Sequence, residues 1–273
     1  MEFKRLKDIV QNNRKYEEDI KETLKEFHDI VKWSGDIPKI IKEIGKKLDV
    51  LIMQIPLHDS DFGAIYLYTG YSKYLLLNSN QPRNKMYFSF CHDIYHIQKG
   101  TPDYINEKRE VHFNQDDYIV DENECKANLF AANLLMPEIE FKKLYSLYKE
   151  EDNADITSVV VKLMYYFNSP FVAVIIRLFE LEILKKMDDL KSMLELKNDD
   201  IELLFEKMWI DKEILTATRN DEMRNILIQI ENEGKILIDA QLISKYDYDK
   251  IIVNIMKFYE EIRLDTEDDK KIS

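Results

Sequence analysis

The chain has 273 residues, with 39 Lys and Arg against 52 Asp and Glu, a formal net charge of −13. That acidity speaks against direct nucleic-acid binding, which needs a basic face, and no apolar run of about 18 residues offers a membrane span. Two cysteines and no apolar stretch behind the charged start exclude a disulfide-stapled secreted fold and lead us to expect a reducing cytoplasm.

With 6 glycines and 6 prolines, breakers are scarce, and long, mostly helical elements are expected. Glu17 to Trp33 places Ile20, Leu24, Phe27, Ile30 and Val31 at helical spacing. Asp36 is a capping residue for a second helix, with Pro38 in its first turn and Ile40, Ile41, Ile44 and Leu48 on one face. Three short runs follow, Val50 to Ile55, Gly63 to Tyr68 and Tyr74 to Asn78, separated by turn residues. They predict a three-stranded antiparallel sheet. A helix then starts near Asn84 and carries Phe88, Cys91, Tyr95 and His96. Thr101 to Asp121 reads as a long loop, and Glu122 to Leu135 is helical up to Pro137. A charged patch at Glu150 to Asp155 marks a domain boundary. Beyond it helices are expected over Ile156 to Phe167, Pro170 to Leu194, Asp199 to Trp209, Asp221 to Glu233, Leu237 to Tyr246 and Tyr248 to Ile262, with Gly234 as a helix stop.

One local pattern carries chemistry: His92-Asp93-Ile94-Tyr95-His96. Histidines four apart on a helix lie one turn above each other, so both imidazoles reach one cation. With 5 histidines in the chain, chance supplies roughly 0.1 such pairs. The plain alternative is two half-buried histidines hydrogen-bonded to backbone or carboxylate. The second pattern runs from Glu124 through Ala127, Asn128, Phe130, Ala131 and Ala132 to Pro137. Glu124 alone reads as a solvated helix-start carboxylate. Packed across the first helix, it completes a two-histidine, one-carboxylate set with the fourth position left for water.

Together these segments resemble the ImmA/IrrE family of zinc metallo-endopeptidases. The resemblance rests on the Phe88-Ser89-Phe90-Cys91-His92 run-in, on Glu124, Ala127, Asn128, Phe130 to Ala132 and Leu134 to Pro137, and on the preceding helix–strand order with Asn78 closing the third strand. Fainter echoes are Phe167 to Leu184 and the Gly-Lys-Ile turn at Gly234. The resemblance implies an α+β fold: a zincin-like domain over 1–149, with N-terminal helices and the small sheet, then a helical domain over 150–273 with helix-turn-helix-like segments. It implies Zn2+ held by His92, His96 and Glu124. It also implies cleavage of a helix-turn-helix repressor or antitoxin-like protein, often in mobile elements and transcription regulation. The family's catalytic glutamate falls on Asp93, one methylene shorter, which leaves two outcomes open: hydrolysis at a reduced rate, or a metal-binding module that acts on its partner by binding alone. Lys126 replaces the family's second glutamate, and Tyr87 stands where an arginine is common.

Other residues keep two readings each. Cys91 and Cys125 flank ligand positions and read first as small core residues. Tyr95 serves packing or steadies an oxyanion. His112 is a surface histidine or polarises a scissile carbonyl. Asn128 orients a ligand or makes a helix-packing hydrogen bond.

Overall fold

The computed structural model describes residues 2–68, 72–100, 111–112, 121–151, 155–184 and 187–263. Helix α1 (Phe3–Ile30) starts well before the expected Glu17. Its buried stripe takes Leu6, Asn13, Ile20 and Phe27, about two turns apart, flanked by Ile9, Val10 and Thr23. Two polar members, Asn13 and Thr23, hide that stripe from a purely apolar reading. Helix α2 (Ile37–Lys47) is capped as expected: the Asp36 carboxylate accepts from the Lys39 N–H at 3.2 Å, and Ile37, Ile40, Ile41 and Ile44 are buried.

The sheet corrects the antiparallel expectation. Strands β1 (Val50–Ile55), β2 (Phe62–Tyr68), β3 (Lys73–Asn78) and β4 (Val111–His112) lie in the order β1-β3-β2-β4. β3 pairs antiparallel with β2 but parallel with β1, from Val50↔Lys73 to Ile55↔Asn78. The cause is local. Asn78, fully buried, uses its whole amide: Oδ1 accepts from the N–H groups of Leu57 and Asn80 (both 3.0 Å), and Nδ2 donates to the carbonyls of Asp59 and Phe62 (both 2.7 Å). These bonds tie the β1–β2 connection across the end of β3, so β1 and β2 flank β3 instead of pairing with each other. The expected loop over Thr101 to Asp121 contains the two-residue β4, antiparallel to β2, and ends on Asp121; the rest of it lies outside the described residues.

Helix α3 (Arg83–Lys99) is buried nearly all round and packs on β2, β3 and the next helix, α4 (Glu122–Leu135). α1 crosses α4. A helix the sequence reading did not separate, α5 (Glu138–Glu150), follows Pro137 and packs on α6 (Ile156–Phe167), whose first amides are capped by Asp155.

The expected helix over Pro170 to Leu194 is two, α7 (Phe171–Glu180) and α8 (Met187–Leu194). The break is built on Glu182 at φ 55°, with the Ile183 N–H reaching back to the Leu178 carbonyl at 3.0 Å. This is glycine's usual closure of a helix, made here without glycine and so without a sequence signal. Helix α9 (Asn198–Lys207) follows as expected, then a 3-10 turn at Glu213–Leu215.

Gly234 does not stop a helix. It lies inside α10 (Met223–Asp239), and the chain turns at 240–244 into α11 (Lys245–Ile262). A Cβ at Gly234 would sit 2.2 Å from Tyr248 Cε2, so the glycine is there for close approach of α11, not for termination.

One apolar cluster runs from Leu6 to Ile214 and takes residues from both sides of position 150. A second joins Ile55 and Leu57 to Met223 and Tyr259, fixing α10 and α11 on the opposite face of the sheet. Leu75 and Leu77 point to the first cluster and Leu76 between them to the second, the period of two expected of a strand. No single described helix is long and apolar enough to cross a membrane.

Candidate metal centre

α3 supplies His92, Asp93 and His96, all buried. It reaches them near its C-terminal end, where the Gly100 N–H closes on the His96 carbonyl and Gly100 takes φ 51°. The ring centroids of His92 and His96 are 5.0 Å apart, and their Nε2 atoms face each other at 3.1 Å. α4 crosses this face and places the Glu124 carboxylate 3.0 Å from His92 Nε2 and 3.4 Å from His96 Nε2. One turn along α4, the Asn128 Oδ1 accepts from His92 Nδ1–H at 2.9 Å. That bond fixes the tautomer of the neutral ring and turns His92 Nε2 inward. The bond meets both readings of Asn128: it joins α4 to α3 and it orients the His92 ring.

The two inward Nε2 atoms and the two Glu124 carboxylate oxygens, in contact at 3.0 to 3.4 Å, fit the chemistry of a metal site. Ligand bonds of about 2.0–2.2 Å in tetrahedral array set neighbouring donors about 3.3–3.6 Å apart. The donor atoms of His92, Asp93 and His96 also lie within 4.8 Å of one another, a grouping that can hold a metal ion.

The electrostatics are those of a pocket that concentrates charge. Burial alone would push the Glu124 carboxyl up, but hydrogen bonds from His92 and His96 and their charge hold it well below the usual carboxylate range. Burial likewise pushes the His92 imidazole down, and the Glu124 bond and charge reverse that, so its pKa is raised. Asp93 differs. Both its carboxylate oxygens are buried without a hydrogen-bond partner among the described residues. Burial, opposed by His92 and reinforced by Glu124, pushes its pKa from 3.8 to about 7. Asp93 also contributes, after burial and Tyr68, to lifting the phenol of Tyr66 to about 12. Tyr66, on β2 beside this pocket, was not singled out from the sequence; it reads there as one aromatic of a strand.

The remaining candidates resolve as follows. Cys91 and Cys125 are buried thiols outside any disulfide, both raised by burial, in keeping with their reading as core residues. Tyr95 is buried, its ring packed on His96 and Phe130. Lys126, in place of the family's second glutamate, bridges Asp19 of α1 at 2.7 Å and Glu122 at 2.9 Å, tying α4 to α1. Only the backbone of His112 is described, in β4.

No curated protein sequence matches the chain. Residues 46–179, from the end of α2 through α7, match the IrrE N-terminal-like domain of the M78 peptidases. The match spans the sheet, the two-histidine helix and the crossing helix that bears Glu124. The chain thus carries an IrrE N-terminal-like domain of the M78 peptidases over residues 46–179.

Proposed function

We propose that the chain is a zinc-dependent endopeptidase of the ImmA/IrrE type, acting in the cytoplasm on a helix-turn-helix repressor or a similar regulatory protein. His92, His96 and Glu124 are the metal ligands and Asp93 the catalytic base. The observation that carries this reading is the convergence of two imidazole nitrogens and the Glu124 carboxylate, with contacts of 3.0 to 3.4 Å, beside a buried carboxylate without a hydrogen-bond partner among the described residues. A bound zinc ion supplies Lewis acidity, lowering the pKa of a water and polarising a scissile carbonyl. The residues do the rest. Asn128 holds His92 in the ligating tautomer. Asp93 takes a proton on a carboxylate oxygen and returns it to the leaving amine. A pKa of about 7 suits both halves of that exchange at neutral pH.

A second reading is favoured by one specific feature. Asp93 is a methylene shorter than the family's glutamate, which sets its carboxylate back by about 1.5 Å. In that reading the chain keeps the metal and acts on its partner by binding.

Co-expression with a repressor-like protein encoded beside it separates the two. Metal-dependent fragments of the partner, lost in Asp93→Ala, support the peptidase. Fragments seen only with Asp93→Glu support the binding module. A purified chain with no bound metal, indifferent to chelator, overturns both.

A further inference from the structure

Apart from the proposed metal centre, the structure holds a cavity of about 260 Å³. It is lined by the start of α1, the first turns of α3 and α7, and residues of α8 and α9. Its walls mix apolar side chains, chiefly Ile9, Phe171, Val172, Ile176 and Met193, with the polar side chains of Asn84 and Asn198. The volume is near the lower end of ligand pockets, about 300–1,000 Å³. The charged residues among its walls are Arg5, Lys85 and Glu202, two cations against one carboxylate. Glu202 is exposed, whereas Lys85 is half-buried and forms no ion pair among the described residues.

Backbone charge adds to this balance. α3 and α7 both open onto the cavity, and their cap positions are held by Pro82 and Pro170, which give no side-chain hydrogen bond to the first turn. Uncapped first-turn amides carry partial positive charge and favour anions. Arg83 N–H is already taken by the Thr216 carbonyl, so α7 is the stronger contributor. A narrower hollow of about 40 Å³ shares Ile9, Pro170, Val172 and Ile176 with the cavity and extends it towards Phe88 and Cys125. The space therefore joins apolar walls to two cationic side chains.

We propose that this cavity binds a free medium-chain aliphatic carboxylate. The carboxylate lies at Lys85 and Arg5, and the alkyl chain runs along Ile9, Phe171, Val172 and Ile176 towards the narrower hollow. A neutral chain of the same length leaves the two cations unmatched, and a short carboxylate leaves the apolar walls wet.

The test is calorimetric titration of decanoate into the full-length chain, a readout independent of metal content and of any peptidase activity. Expected are saturable binding at about one site per chain, roughly tenfold weaker binding of 1-decanol, and roughly tenfold losses in Lys85→Gln and in Val172→Trp, which fills the space. Val172 is partly exposed and Lys85→Gln keeps the length of the side chain, so at least one variant remains folded, as checked by circular dichroism. Absence of saturable heat, equal affinity for decanol, or wild-type affinity in the folded variants overturns the proposal.

Discussion

Asp93 is where the local chemistry is least settled by packing, since a buried carboxylate without a partner is costly unless it is protonated or faces a cation. Its folded pKa of about 7 lies above its usual 3.8, so in chelator-treated protein the folded state holds a proton that the unfolded chain releases between those values. The stability this contributes is complete below about pH 4 and is lost as pH rises through 7. Asp93→Asn should therefore gain on the chelator-treated wild type as pH rises from 5 to 7.5, by about 2–3 kcal/mol. Urea unfolding at the two pH values measures this, and a gap that does not change with pH contradicts it. Asn128→Ala, which frees the His92 ring, should weaken zinc affinity about 10–100-fold while leaving the fold intact. Competition with a chromogenic chelator reads that loss. At this scale the sequence was informative where spacing encodes geometry: His92 and His96 follow from the helical repeat. It was uninformative about Tyr66, because nothing in β2 signals which aromatic will stand beside Asp93.

Among the elements, two single residues decide arrangements that no periodicity encodes. Asn78 replaces backbone partners for four groups around the β1–β2 connection. Asn78→Ala leaves them buried and unpaired, and should cost about 3 kcal/mol or more, read as a lowered denaturant midpoint. Asn78→Asp should restore only the accepting half. Gly234 lets α11 approach α10, and Gly234→Ala should cost about 1–3 kcal/mol by driving a methyl group into the Tyr248 ring. The double variant Gly234→Ala, Tyr248→Ala should cost less than the sum of its parts, and strict additivity would show that the contact does not matter. Helices with regular apolar stripes and polar caps, such as α2, α4 and α6, were legible within a residue or two. The parallel β1–β3 pairing was not, because strand order depends on Asn78 making contacts remote in sequence. The break after α7 was missed because Glu182 occupies a glycine conformation, and the glycine in α10 was misread because close packing and helix termination use the same residue.

For the whole molecule, the metal centre lies where two helices cross, and α3 touches most of the structure: α4 on one side, β2 and β3 on the other, and the 3-10 turn at its start. The proposed ligand set, shared between α3 and α4, would link metal binding to the main apolar cluster. Chelation should thus lower the melting temperature by several degrees, and excess Zn2+ should restore it in proportion to occupancy. The acidic balance of −13 is compatible with a protein that engages another protein and not a phosphate backbone. The central claim, that His92, His96 and Glu124 grip one divalent ion, is tested most directly by metal analysis of the purified chain. The wild type should carry about one equivalent of zinc, and His96→Ala and Glu124→Ala should carry little while keeping the wild-type circular dichroism spectrum. A folded wild type free of metal, or variants that retain the full equivalent, would contradict the account.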